Sequence, residues 1–329
     1  MCRVVVVTGA SAGVGRATAR LFGARGWRVA LLARGIDGLE AAKREIEDAG
    51  GKALVVPTDV AHHDQVEAAA ERIEREWGSI DVWVNDAMAT IFCEFTAITP
   101  DDYQRATEVT YLGTVWGTRA ALKRMLPRNR GTIVQVGSAL AYRSIPLQAP
   151  YCGAKAAIRG FTDSVRSELL HHRSKVHLTM VQLSAFNTPQ FEWGRTCMAK
   201  QPQPLPPIFQ PEVAAKAIYY AATHRRRELW VGWPAIKAIV GTRLLPGLGD
   251  RILATEAYRG QHTDEPLLPG RRDNLYSPVP GDHGAHGRFD ARARPRSTQV
   301  WLTTHRSGAL AAAAGLAIGI GALVLRQRA

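Results

Sequence analysis

Ser138, Tyr151 and Lys155 are the residues of this 329-residue chain whose types and spacing can do chemistry. Tyr151 and Lys155 stand four apart in Tyr-Cys-Gly-Ala-Lys-Ala-Ala-Ile-Arg-Gly-Phe, a helical stretch just after Pro150. That spacing sets both side chains on one helix face, a turn apart. A phenol with an ordinary pKa of ~10 is a poor acid–base catalyst at neutral pH. A cation one turn away favours the phenolate and lowers that value. Ser138 closes the apolar run Gly-Thr-Ile-Val-Gln-Val-Gly, which reads as a buried strand. A hydroxyl at that strand end can face the tyrosine and hydrogen-bond a carbonyl oxygen. Tyr-x-x-x-Lys alone arises on any amphipathic helix, where it is a solvated face; the serine thirteen residues earlier lifts the pair above that reading.

The elements that must position these residues begin at the N-terminus. A β-branched run, residues 3–8, leads directly into Gly9-Ala-Ser-Ala-Gly13-Val-Gly15 and then a helical pattern over 16–25. Strand, glycine turn and helix are the context of a dinucleotide-binding turn, in which the backbone approaches a pyrophosphate seated on the helix N-terminus. The second strand, 28–33, ends at Ala33-Arg34 rather than at an acid. A carboxylate there would bind a ribose 2′-hydroxyl, whereas the Arg34 guanidinium suits a 2′-phosphate, so NADP(H) is the expected cofactor. A helix over 38–49, a strand over 53–57 with Asp59 and Val60 beyond it, a helix over 63–76 and a strand over 80–85 follow. Thr99 caps a long helix with Pro100 at its first position. A further strand, 176–183, continues the alternation. Strands that are apolar throughout and alternate with helices predict an α/β fold, a doubly wound parallel sheet of Rossmann type covered on both faces.

The ordered set Thr-Gly-x-x-x-Gly-x-Gly from Thr8, Ser138 and Tyr151-x-x-x-Lys155 resembles the classical short-chain dehydrogenase/reductase (SDR) family, over roughly residues 1–235. The resemblance implies an oxidoreductase that interconverts a carbonyl and an alcohol, with Tyr151 as acid–base catalyst. Lys155 would lower the phenol pKa and hold the nicotinamide ribose, and Ser138 would orient the substrate oxygen. By the same match Gly9, Ser11, Gly13, Val14 and Gly15 line the cofactor, Asp59 and Val60 meet the adenine, and Thr188 sits by the carboxamide. The family's Asn-Asn-Ala-Gly is here Asn85-Asp86-Ala87-Met88, with Asn85 and Ala87 retained at the cofactor and Met88 replacing a glycine. Thr110 stands where the family has a catalytic asparagine; its hydroxyl can hold a water but is shorter than the amide. The Pro-Gly of the family is Leu183-Ser184. These departures bear on the proton relay and the nicotinamide side. They make a catalytically weak NADP-binding sensor or scaffold at a membrane the alternative reading. Phe186, Phe191, Trp193, Met198 and the proline-rich 202–207 occupy the family's lid position and point to an apolar substrate.

Composition frames the rest. The chain is 46% apolar and 22% charged, the balance of a globular protein, with net charge +13. That excess suggests an acidic or phosphorylated partner, but neither zinc-finger spacing nor aromatic–basic interleaving is present, so neither a metal nor nucleic acid is expected. Cys2, Cys93, Cys152 and Cys197 show no paired spacing, which predicts free thiols in a reducing compartment. Residues 236–305 are rich in Pro, Gly and Arg and read as an irregular extension with one short helix near 250–258, its Arg-rich part from 288 exposed. Within 306–329, Gly308 to Leu325 carry no charge, a helix of roughly 27 Å and near a bilayer core. That predicts a C-terminal membrane anchor with the catalytic domain in the cytoplasm. Gly315-Leu-Ala-Ile-Gly319 admits helix pairing, and with it a homo-oligomer.

Overall fold

The computed structural model describes residues 3–306. The apolar segment 308–325 with its Gly315–Gly319 spacing, and Cys2, lie outside the described residues.

Seven strands form one parallel sheet: β1 (Val4–Thr8), β2 (Arg28–Ala33), β3 (Lys52–Pro57), β4 (Ile80–Asn85), β5 (Thr132–Ser138), β6 (His177–Leu183) and β7 (Glu228–Trp230). Their order across the sheet is β7-β6-β5-β4-β1-β2-β3. All six pairings are parallel. The alternation of a strand explains the two cores. Val5 and Val7 join the cluster beneath α1 (Gly13–Ala24), α2 (Ile36–Asp48) and the helix Pro211–Thr223. Val4 and Val6 point the other way, to α3 (His63–Trp77) and the helix Gly113–Met125. Chain order reverses between β4 and β1, so the crevice for a ligand opens at the C-terminal ends of those strands.

The helix after Thr99 is less regular than its periodicity predicts. Thr99 accepts from the Asp102 N–H and Pro100 opens α4 (Pro100–Thr107), but residues Glu108–Leu112 form a π-helical turn before α5 (Gly113–Met125). α6 (Ala149–His171) carries Tyr151 and Lys155 in its first two turns.

The extension departs furthest from its sequence pattern. After α7 (Pro211–Thr223) it begins with two helices rather than one, α8 (Trp233–Leu244) and α9 (Pro246–Gly260). Beyond Pro266 it runs back over the domain. In its Arg-rich end Arg288, Arg292, Arg294 and Arg296 are exposed as expected, while the segment is anchored by the pairing of Ala293–Arg294 with Ile208–Phe209 and by buried Phe289 and Val300. The thiol expectation is also corrected. Cys93 and Cys197 are disulfide-bonded, their Cα atoms 5.1 Å apart, and only Cys152 is free among the described residues. A separation of 104 residues carries no pairing signal in sequence; the parallel pairing of Ile91–Phe92 with Arg195–Thr196 is what brings the two sulfurs together. The cysteines therefore give no support to a reducing compartment.

Among the described residues, no helix is long and apolar enough to cross a membrane.

Candidate active site

The glycine loop follows β1 and is shaped by close approach. Gly9 has φ +72°, and a Cβ there would lie 3.0 Å from the Ala87 backbone. A Cβ at Gly15 would collide with the Gly9 carbonyl and stand 2.8 Å from Asp86 Oδ2. Thr8 Oγ1 laces the two strand ends together, accepting from the Asp86 and Ala87 N–H groups at 3.0 Å each. Ala12, at the N-cap of α1, supplies no side-chain acceptor. Of the first amides of that helix, Gly13 donates to the Gly284 carbonyl at 3.2 Å and Gly15 to the Asp86 carboxylate, so the helix N-terminus is only partly open to an anion.

A cavity of about 660 Å³ runs from this loop to α6. At its reacting end Ser138, Tyr151 and Lys155 all contribute to the lining. Ser138 is buried at the end of β5, where its Oγ also accepts from the Leu140 N–H at 3.1 Å. The phenol of Tyr151 meets the Ser138 hydroxyl, which favours the phenolate, but burial dominates and pushes its pKa above the ordinary value. Lys155 reaches back to β5. Its ammonium donates to the Val136 carbonyl at 2.7 Å and lies 5.5 Å from the Tyr151 ring centre. Burial lowers the Lys155 pKa, partly countered by the Asp86 carboxylate. The same burial raises Asp86, countered by Lys155 and by the Gly15 N–H. Asp86 thus sits between glycine loop and lysine, a position that sequence matching registered only as a departure.

Around the loop, Gly9, Ser11, Gly13 and Val14 line the cavity, as do Arg34, Asp59, Val60, Ala87 and Thr188. Gly15 reaches it only through the N–H that Asp86 accepts. Asp59 does not face the cavity alone, since Arg105 bonds its carboxylate and holds its pKa low against the effect of burial. Arg34 donates to the carbonyls of Asn274, Leu275 and Tyr276.

Two expected site residues are not brought there. Asn85 accepts from Trp83 Nε1 at 2.8 Å and donates to Gln135 at 2.8 Å and Thr118 at 3.2 Å, an internal network behind β4. Thr110 is fully buried on the π turn; its hydroxyl accepts from the Ala89 N–H at 2.9 Å and donates to the Ala89 carbonyl at 3.0 Å. Its donor and one of its two acceptor lone pairs are used, and the pair of bonds pins the loop after β4.

The profile of the short chain dehydrogenase family matches residues 3–195. The chain belongs to the short-chain dehydrogenase/reductase family. It is 33% identical over 316 residues, 95% of its length and 88% of the relative's, to an uncharacterised oxidoreductase, YxnA, of Bacillus subtilis. It is 38% identical to human dehydrogenase/reductase SDR family member 7 over 172 residues, half of each chain. Among solved structures it is similar to a metagenomic short-chain oxidoreductase in complex with NADP, at 28% identity and TM-score 0.60, covering 70% of this chain and 96% of that one. A single-residue variant of actinorhodin polyketide ketoreductase with NADPH aligns at 26% identity and TM-score 0.62, over 70% and 95%.

In this short-chain dehydrogenase the substrate end of the cavity is built by two regions. Phe186, Phe191 and Trp193 line it as the lid position predicts, joined by Pro204, Leu205 and Pro206; Met198 packs instead with Phe92, Phe191, Ile208 and Phe289. The extension supplies the facing wall through Ala238, Ile252, Leu253 and Ala257. Sequence reading missed these because α8 and α9 carry apolar residues on more than one face, with Leu244 and Leu245 exposed. Ser184, which stands where the family has a glycine, also lines the cavity, with a buried hydroxyl that has no partner among the described residues. A nicotinamide dinucleotide fits these residues: the glycine turn allows close backbone approach, the N-terminus of α1 and the Arg34 guanidinium border the cavity, and the Ser184 hydroxyl lines its far end.

Proposed function

We propose that this dehydrogenase is an NADP(H)-dependent carbonyl reductase or alcohol dehydrogenase acting on an apolar substrate. The observation that carries the reading is one continuous cavity in which Ser138, Tyr151 and Lys155 share a wall with the glycine loop. A bound nicotinamide supplies or accepts the hydride. The chain's own residues handle the oxygen and its proton. With its pKa raised by burial, Tyr151 keeps its proton at neutral pH, so Oη is the donor to the oxygen of a substrate being reduced. Ser138, at the end of β5, orients that oxygen beside the phenol. Lys155, fixed by the Val136 carbonyl, holds its charge one helical turn from the phenol. The preference for NADP(H) rests on Arg34 with no acid at the β2 end, and is in keeping with relatives solved with NADP and NADPH. The apolar lid and α8–α9 wall favour an apolar substrate. Exposed Trp233, Leu244, Leu245 and Leu248 beside that wall, with the uncharged 308–325, favour work at a membrane.

Tyr151→Phe tests the reading: turnover of apolar aldehydes and ketones with NADPH should vanish while NADPH binding stays, and retained turnover would sink it. A second reading, an NADP-binding protein with little turnover, is favoured by the two used bonds of Thr110 and by Met88 in the cavity lining. NADPH binding without turnover on any carbonyl panel would select it.

A further inference from the structure

The extension does more than pack on the domain. After Pro266 the chain crosses the C-terminal ends of β1, β2 and β3, and it is fastened there by polar ties from one end to the other. At the first end, the carbonyls of Asn274, Leu275 and Tyr276 take three N–H bonds from Arg34, and Arg105 Nε donates to the Leu275 carbonyl at 3.2 Å. The Leu275 side chain is fully buried in the core shared by α3 and α5. In the middle, Asp37 accepts from the Gly281 N–H at 2.8 Å, and Pro278 Cβ lies 3.3 Å from where a Cβ on Gly35 would stand. Asp282 forms an ion pair with the buried Arg16 of α1, and the Gly284 carbonyl accepts from the Gly13 N–H at 3.2 Å. At the far end the Gly287 N–H donates to the Asn187 carbonyl at 3.3 Å, next to Thr188. Between these ties Asn274, Pro278, Val279, Gly281 and His283 line the same cavity as the glycine loop.

We infer that residues 274–287 are a strap forming the outer wall of the dinucleotide site over its adenosine half, and that a bound dinucleotide is released only when the strap lifts. The inference rests on the dinucleotide reading above. Arg34 carries five N–H groups; the strap takes three and leaves two for a ribose phosphate. Each tie lies on an element that borders the cavity: Arg34 and Asp37 after β2, Gly13 and Arg16 on α1, Asn187 beside Thr188. A strap with this placement has to move for the adenosine half to pass, so it governs the rates of entry and exit more than the resting affinity.

The test uses the full chain and stopped-flow displacement of bound NADPH, read by nicotinamide fluorescence. Asp282→Ala removes the ion pair to Arg16 and should speed NADPH release by roughly 10-fold, the worth of one charge-assisted hydrogen bond. Gly35→Cys with Pro278→Cys places two thiols at a spacing that can be bridged. When this pair is oxidised after loading, release should slow by at least about 10-fold against wild type under the same redox conditions; oxidised before loading, it should slow NADPH entry. Unchanged release in both variants, or tighter binding in Asp282→Ala, would overturn the strap. Failure of wild type to bind NADPH or NADH would overturn the dinucleotide reading and the strap with it. Strap kinetics as expected, with no carbonyl reduced, would leave the strap standing and remove only the reductase.

Discussion

The two ends of the cavity are built on different principles. At the reacting end the residues come from adjacent turns of α6 and the end of β5, and their grouping follows from local geometry: four residues on a helix, one at a strand terminus. At the adenosine end the charged residues face one another and the chain's own extension. Asp59 pairs with Arg105, Arg105 also holds the Leu275 carbonyl, and Arg34 holds three carbonyls of 274–276. The difference teaches that residues grouped by short-range spacing stay together on folding, whereas a lone charge at a strand end takes its partners from wherever the chain returns.

The sharpest break between the ends is Tyr151→Phe, which should lower kcat by about 10³-fold, within the usual range for loss of an acid–base group. Titration with NADPH should show its Kd little changed, because the adenosine end is untouched; a comparable loss of binding would mean the ends are not separable. Arg34→Ala probes the other end. It removes a charge-assisted donor and should weaken NADPH by roughly 10-fold while weakening NADH less. Equal losses for both would assign Arg34 to the strap alone. Thr110→Val should lower the urea-unfolding free energy by about 1–3 kcal/mol, since it orphans the buried Ala89 N–H and carbonyl. If the main effect fell on kcat with stability intact, the hydroxyl would belong to a proton relay after all.

A last effect, on stability against pH, concerns Asp86. Burial raises its pKa to about 7, so between there and the ordinary carboxylate value of ~3.9 the folded chain keeps a proton that the unfolded chain has released. Its contribution to stability is therefore full below that ordinary value and is lost as pH rises through about 7. Urea midpoints at pH 5 and pH 7.5 should fall more steeply for wild type than for Asp86→Asn. Parallel slopes would show that Asp86 is ionised throughout, paired with Lys155.

Much of the molecule was legible beforehand, for identifiable reasons. Val4–Val7 are apolar on both faces, which only a strand covered on both sides tolerates, and the glycine turn behind them follows from its need for close backbone approach. Tyr151 and Lys155 share the cavity because helical periodicity puts residues four apart on one face, and Ser138 joins them at the end of the neighbouring strand β5. Asn85 and Thr110 were misplaced because a side chain with two bonding groups takes the nearest buried partners, and which backbone amide lies opposite is set by packing. The pairing of Cys93 with Cys197 was invisible for the same reason.

By itself, then, the amino-acid order determined the parallel α/β sheet, the glycine loop and the serine–tyrosine–lysine group, since each is announced by a local pattern: apolar strands alternating with helices, a glycine turn between strand and helix, and a four-residue helical spacing. Tertiary structure alone decided that Arg34 is held by 274–276, that α8 and α9 wall the substrate end and that a disulfide joins residues 104 apart. Those contacts span long stretches of chain. Their partners are chosen by the burial of Leu275 and by the path the extension takes across the sheet, not by any periodicity that a strand or a helix writes into sequence.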